Sequence, residues 1–166
     1  MKEITPYELQ GNAFQMIDRD WMLVTASDGD KFNTMTASWG GMGILWNKPV
    51  AFVFIRPRRY TFEFTEKNDR MTLTFFGGEK REALNICGTK SGRDCDKIKE
   101  AGLVPVEIGD GLYTFEGATV ALVCRKIYTD MIKAENMMDP AIMKCYKNND
   151  FHKVYVCEIE KAYIKE

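Results

Sequence analysis

Val50-Ala51-Phe52-Val53-Phe54-Ile55 is apolar at every position, whereas Met71-Thr72-Leu73-Thr74-Phe75 alternates as a strand with one wet face does. A strand buried on both faces needs cover on each side, and in a mainly antiparallel chain that cover is a helix or another subunit. A partner is the simplest source of so much extra burial, so the run predicts a homodimer. Further strands are expected at Trp21–Ser27, Lys31–Trp39, Leu112–Phe115, Ala118–Tyr128 and Val154–Ile164. Asp28-Gly29-Asp30 joins the first two as a hairpin, its Asp-Gly step suiting the positive φ of a tight turn. Gly40, Gly41 and Gly43 then let the backbone bend or approach a ligand before Asn47-Lys48-Pro49 interrupts the pattern.

Helical signals are fewer. Thr5-Pro6-Tyr7-Glu8 has the form of a capping box with proline in the first turn. Helices are predicted over 58–67, 80–87 and 94–101, with Gly88 and Gly102 as stops for the last two. Tyr60-Thr61-Phe62-Glu63-Phe64 also alternates like a strand, so the first assignment is open between the two periods. Many strands, few helices and no regular strand-helix alternation point to a barrel or sandwich decorated by helices, not a doubly wound sheet.

The 166 residues, 45% of them apolar, read as one domain spanning 1–166. Lysine and arginine total 23 against 24 aspartate and glutamate, a net charge of -1, so no broad cationic field exists to draw nucleic acid or a membrane surface. Any anion site must be local. The N-terminus lacks the apolar core of a signal peptide and no apolar run is long enough to span a bilayer, which predicts a soluble cytoplasmic protein. The five cysteines contain no Cys-x-x-Cys pair, and His152 is the only histidine. That composition argues against a disulfide framework, a metal site and a serine triad.

Two segments carry the chemistry. Asn33-Thr34-Met35-Thr36-Ala37-Ser38-Trp39-Gly40 offers hydroxyls and close backbone approach beside a large aromatic ring, and Arg56-Pro57-Arg58-Arg59-Tyr60-Thr61 concentrates three guanidinium groups just past a strand. Together they suggest a flavin site whose phosphate is held by arginine. A third segment, Ser91-Gly92-Arg93-Asp94, places a hydroxyl and a charge at a predicted helix start, where unpaired N–H groups suit a phosphate. Each has a plainer alternative: a turn with an Asp cap, solvated surface arginines, and a tryptophan in a core or interface.

As an ordered set these segments, with Trp46-Asn47-Lys48-Pro49, Asp96-Lys97 and His152-Lys153-Val154-Tyr155, resemble flavin reductase-like proteins, in particular the flavoredoxin-like group. The resemblance spans nearly the whole chain. It implies a Greek-key FMN-binding split β-barrel with peripheral helices, dimeric, with FMN near the subunit interface. Carried over by position, Met35, Thr36, Ala37, Ser38 and Trp39 line the ring and ribityl chain. Arg56, Arg59, Tyr60, Thr61, Ser91, Gly92, Arg93 and Asp94 surround the phosphate end, Asp94 by capping the helix or orienting Arg93. His152 stands over the flavin or nicotinamide as the catalytic candidate, or serves as a structural histidine at a strand end.

The implied activity is that of an NAD(P)H:flavin oxidoreductase, in which NADH or NADPH gives hydride to the flavin and electrons pass to a free flavin or a redox protein. Such chemistry needs oriented rings and hydrogen-bond donors at the flavin's polar edge more than a dedicated acid-base pair. The alternatives are an FMN electron carrier that uses no nicotinamide, and a cofactor-free split-barrel protein. Many flavin reductases carry Gly-Asp-His before the final strand where this chain has Asn149-Asp150-Phe151-His152. The stretch 129–153, with Met131, Met137, Met138 and Met143, is open between a lid of adaptable thioethers and a packed connection.

Overall fold

The computed structural model describes residues 1–166. Ten strands form: β1 (Lys2–Ile4), β2 (Met22–Ser27), β3 (Phe32–Ala37), β4 (Gly40–Leu45), β5 (Lys48–Ile55), β6 (Arg70–Phe75), β7 (Pro105–Glu107), β8 (Tyr113–Phe115), β9 (Val120–Met131) and β10 (Lys153–Ile164). The α-helices are α1 (Tyr60–Lys67), α2 (Arg81–Thr89) and α3 (Lys97–Glu100). Eight strands make one antiparallel sheet in the order β3-β2-β6-β9-β10-β5-β4, with β1 paired to the far half of β10, while β7 and β8 pair separately. The path is open, β3 and β4 being its two ends.

The β2–β3 hairpin forms as its turn chemistry predicts. Asp28 accepts at Oδ1 from the amides of Asp30 and Lys31, and Gly29 takes φ +100°. The β4–β5 hairpin turns on Trp46 and Asn47, both at positive φ, as a two-residue primed turn requires. The glycines at 40, 41 and 43 therefore sit in a strand, not a bend. At Gly40 the reason is close approach, because a Cβ would lie 2.8 Å from the Phe52 carbonyl oxygen.

Met35 and Ala37 from one end of the sheet meet Ala51, Val53 and Ile55 from β5 in a single core cluster with Leu73, Leu122 and Tyr155. That is possible only if the sheet curls around them. Its β2 region is covered outside by α2, which packs Ala83, Leu84 and Cys87 on Leu23 and Phe115. Hence β2, not β5, is buried throughout; on β5 Phe52 and Phe54 stay half-buried. The helix reading of 58–67 prevails, since Phe64 turns into the core while Tyr60 packs edge-on against it at 5.0 Å. Two helix ends differ from expectation. Gly88 lies inside α2, where a Cβ would only just touch Thr36, and α3 starts at Lys97 behind an Asp96 cap that accepts from Lys99 N–H.

Candidate functional site

The loop after β5 turns at Arg56–Arg59 into α1, the C-terminal end of α2 approaches from the side, and β3 supplies the floor as an end strand whose outer backbone edge pairs with no other strand. Two adjoining cavities result. One of about 420 Å³ is lined by Arg58, Arg59, Tyr60, Lys90, Arg93 and Lys97, among others. The other, of about 270 Å³, runs along Met35–Trp39 to Phe54, Arg56 and His152. Met35, Arg58 and Arg59 border both, so the two form one groove of the size of small-molecule sites, roughly 300–1,000 Å³.

The larger cavity is cationic, and most of its charges are already matched. Lys90 pairs with Glu100, Arg93 with Glu63, and Arg58 Nε lies 2.6 Å from Asp150 Oδ2. Arg59 and Lys97 have no carboxylate partner. Arg59 donates to the Gly88 carbonyl at 2.7 Å; burial and the neighbouring Arg58 and Arg56 lower its pKa. Lys97 is 4% exposed and donates only to the carbonyls of Cys87 and Lys90, at 3.4 and 3.3 Å. Tyr60 and Thr61, at the start of α1, border this wall, and their amides have no acceptor in the chain.

The smaller cavity ends in an aromatic corner. His152 lies 5.3 Å from the Trp39 ring and 6.4 Å from Phe54, and its Nδ1 shares a 3.0 Å hydrogen bond with the Tyr146 hydroxyl. Burial, with the Arg56 charge beside it, pushes the imidazole pKa down to about 4, so the ring is neutral at physiological pH. Trp39 is 47% exposed and forms the mouth. It belongs to neither the core nor a helix face.

Met35, Thr36, Ala37, Ser38, Trp39, Arg59, Tyr60, Ser91, Arg93 and Asp94 all reach the groove. Arg56 lies in the smaller cavity, with its guanidinium committed to the carbonyls of Cys145 and Asp150 and to Asp150 Oδ2. It latches the connection between β9 and β10 over the aromatic corner. Thr36 donates to Leu84 carbonyl, and Thr61 is fully buried, accepting from Asn33 Nδ2 at 2.7 Å. Gly92 lines neither cavity. The turn 91–95 spends its own amides on Ser91, so it offers side chains in place of a helix start, and Asp94 caps nothing. Phe54, Gly88, Thr89, Lys90 and Lys97 also line the groove, though the sequence pattern assigns them no contact there, and Arg58 joins them from within the arginine run.

A family model for the flavin reductase-like domain matches residues 15–166. No curated protein matches the chain. Among solved structures, the flavoredoxin of Desulfovibrio vulgaris (Miyazaki F) superposes with a TM-score of 0.68 at 20% identity, over 100% of this chain and 78% of that one. An FMN-binding protein of Thermus thermophilus gives 0.68 at 20% identity, covering 98% and 83%. An NADH:FAD oxidoreductase of Streptomyces globisporus gives 0.65 at 13%, covering 88% and 75%. These likenesses establish a common fold. With the family model covering all but the first 14 residues, the chain belongs to the flavin reductase-like domain family.

Proposed function

We propose that the groove binds FMN, its phosphate in the larger cavity and its ring in the smaller, and that the protein is an NAD(P)H-dependent flavin reductase. The observation that carries this reading is the pair of cations, Arg59 and Lys97, left without carboxylates next to an aromatic-walled slot. Lys97 is buried and Arg59 half-buried, and cations so withdrawn from water are normally paired, so the wall is suited to an anion that the chain itself does not provide. The free amides of Tyr60 and Thr61 add donors to the same end. When bound, FMN supplies the hydride-accepting ring and the route onward for electrons.

The chain's own contribution is orientation and exclusion of water. Trp39, Phe54 and a neutral His152 form an uncharged corner at the ring end beside Arg56, whose latch holds Tyr146 and His152 in place. His152 then acts as a hydrogen-bonding and packing surface for the incoming ring, since a group with a pKa of about 4 is not an imidazolium acid at neutral pH. The open, curled sheet that closes around one core is read as a Greek-key split barrel. Half-buried Phe52 and Phe54 on β5 support a homodimer, and a monomeric mass by light scattering at micromolar concentration would overturn it. The five free thiols fit the proposed cytoplasmic setting.

One observation favours the electron-carrier reading. An apolar hollow of about 460 Å³, formed by Phe14, Ile17, Trp39 and Met42, abuts the ring end, and Phe14 is 85% exposed. A redox protein could seat there and take electrons past Trp39. The visible spectrum of FMN-loaded, desalted protein, repeated anaerobically with NADH or NADPH, separates the two. Bleaching is the expected result. Retained flavin that stays oxidised with both nicotinamides assigns the carrier role instead, and no retained or reducible flavin removes both.

A further inference from the structure

We propose, resting on the FMN reading above, that Lys97 is a specificity-determining residue: it selects phosphorylated over unphosphorylated flavin and couples that selection to uptake of a proton. The geometry is unusual for a lysine. Its side chain is 4% exposed, at the first residue of α3, yet it borders the larger cavity and a third hollow beyond Tyr60. An ammonium has three N–H donors. Two reach carbonyls at the end of α2, where the helix dipole favours a cation, and the third has no acceptor in the chain.

The groups around it do not neutralise it. Cys87 on α2 and Cys95 in the preceding turn present thiols, and burial raises the Cys87 pKa to about 11, so that sulfur stays neutral. Arg59 at the head of α1 is a second cation. Lys90 and Arg93 share the cavity wall, but their charges are matched by Glu100 and Glu63. Asp94 also borders the cavity without pairing with Lys97, and Asp96 caps α3 through Lys99 N–H. Burial, reinforced by Arg59, accordingly lowers the lysine pKa to about 8.

A phosphate dianion at the third N–H supplies the missing counter-charge and holds the proton on. Above the free pKa the site must take up that proton to bind, so FMN affinity falls relative to riboflavin affinity as pH rises. Ring deprotonation is common to both ligands and cancels in their ratio. Arg59 cannot produce the slope, because a guanidinium keeps its charge throughout.

The experiment is titration of the protein with FMN and with riboflavin between about pH 7 and 9.5, for wild type, Lys97→Met and Lys97→Arg. In wild type the preference for FMN should decline roughly tenfold or more over that range. Lys97→Met should reduce the preference at neutral pH by roughly tenfold to a hundredfold and flatten the slope. Lys97→Arg should retain a preference with no slope. Thermal melting of the flavin-free protein guards against a purely structural role: removing an unpaired buried charge should leave Lys97→Met as stable as wild type or more so. A wild-type preference and slope in Lys97→Met overturn the proposal. If neither flavin binds, the FMN reading falls, and inorganic phosphate decides the lysine's role. Thermal stabilisation by phosphate that Lys97→Met abolishes sustains the anion site; equal or no stabilisation in both proteins overturns it.

Discussion

Arg59→Ala is expected to weaken FMN by roughly tenfold to a hundredfold while riboflavin affinity moves no more than about threefold, the size of one lost charge-assisted contact to phosphate. Arg59 sits at the cap of α1, beside Tyr60 and Thr61, and the only hydrogen bond its guanidinium makes within the chain is to the Gly88 carbonyl. Losing that bond costs the flavin-free protein little. The cation it removes is repelled by Arg58 and Arg56, which already lower its pKa, and no carboxylate is stranded. The variant should therefore separate affinity from stability, with a melting temperature close to wild type. The pH slope assigned to Lys97 should survive but move to higher pH, because Arg59 helps to lower that lysine's pKa. Equal loss of FMN and riboflavin would take Arg59 out of phosphate recognition and make it a wall of the ring cavity.

Arg56→Ala should behave differently despite lying three residues away in the same run. Its guanidinium holds Cys145 and Asp150, so its removal loosens the connection above His152 and affects both flavins alike. Side-chain identity made the arginine run conspicuous in the sequence, but not the division of labour within it. Which guanidinium faces a cavity and which is consumed by a carbonyl depends on where the 132–152 connection folds back, and that is fixed by contacts 94 residues apart.

The local elements were legible where chemistry is local. The Asp28 turn, the capping box at Thr5 and Glu8, and the strands at 22–27, 70–75 and 153–164 follow from side-chain hydrogen bonds, alternation and β-branched content. Gly88 misled because its usual role is to stop a helix, whereas here the helix continues one residue past it and closes on Thr36. The uniform apolarity of 50–55 pointed to full burial. The helix that would cover such a strand was spent on β2 instead, a matter of sheet order that periodicity does not carry. Lys97 escaped for a simpler reason: a lysine following an aspartate reads as solvated surface, and only packing shows it buried.

Gly92→Ala should be the most damaging single methyl in the site, lowering stability by about 2–4 kcal/mol, or roughly 5–10 °C in melting temperature. The cause is contact, not backbone strain, because Gly92 is not at positive φ. A Cβ there would lie 2.3 Å from Asn33 Oδ1 and 3.0 Å from Tyr60 Cδ1. Asn33 is 4% exposed, and its Nδ2 donates to Thr61 at 2.7 Å, so the amide cannot swing away without breaking that bond and leaving a buried hydroxyl and amide unpaired. Tyr60 is equally held, with Arg93 over its ring at 4.9 Å and Phe64 packed edge-on against it. The turn 91–95 must then lift off β3, carrying Ser91 and Arg93 out of the cavity wall. The coupling is testable by a double-mutant cycle: in an Asn33→Ala background the amide is already gone, and adding Gly92→Ala should cost clearly less than it does in wild type. Strict additivity would mean that the turn accommodates the methyl by moving as a unit, and that Gly92 owes its place to something other than the approach of Asn33.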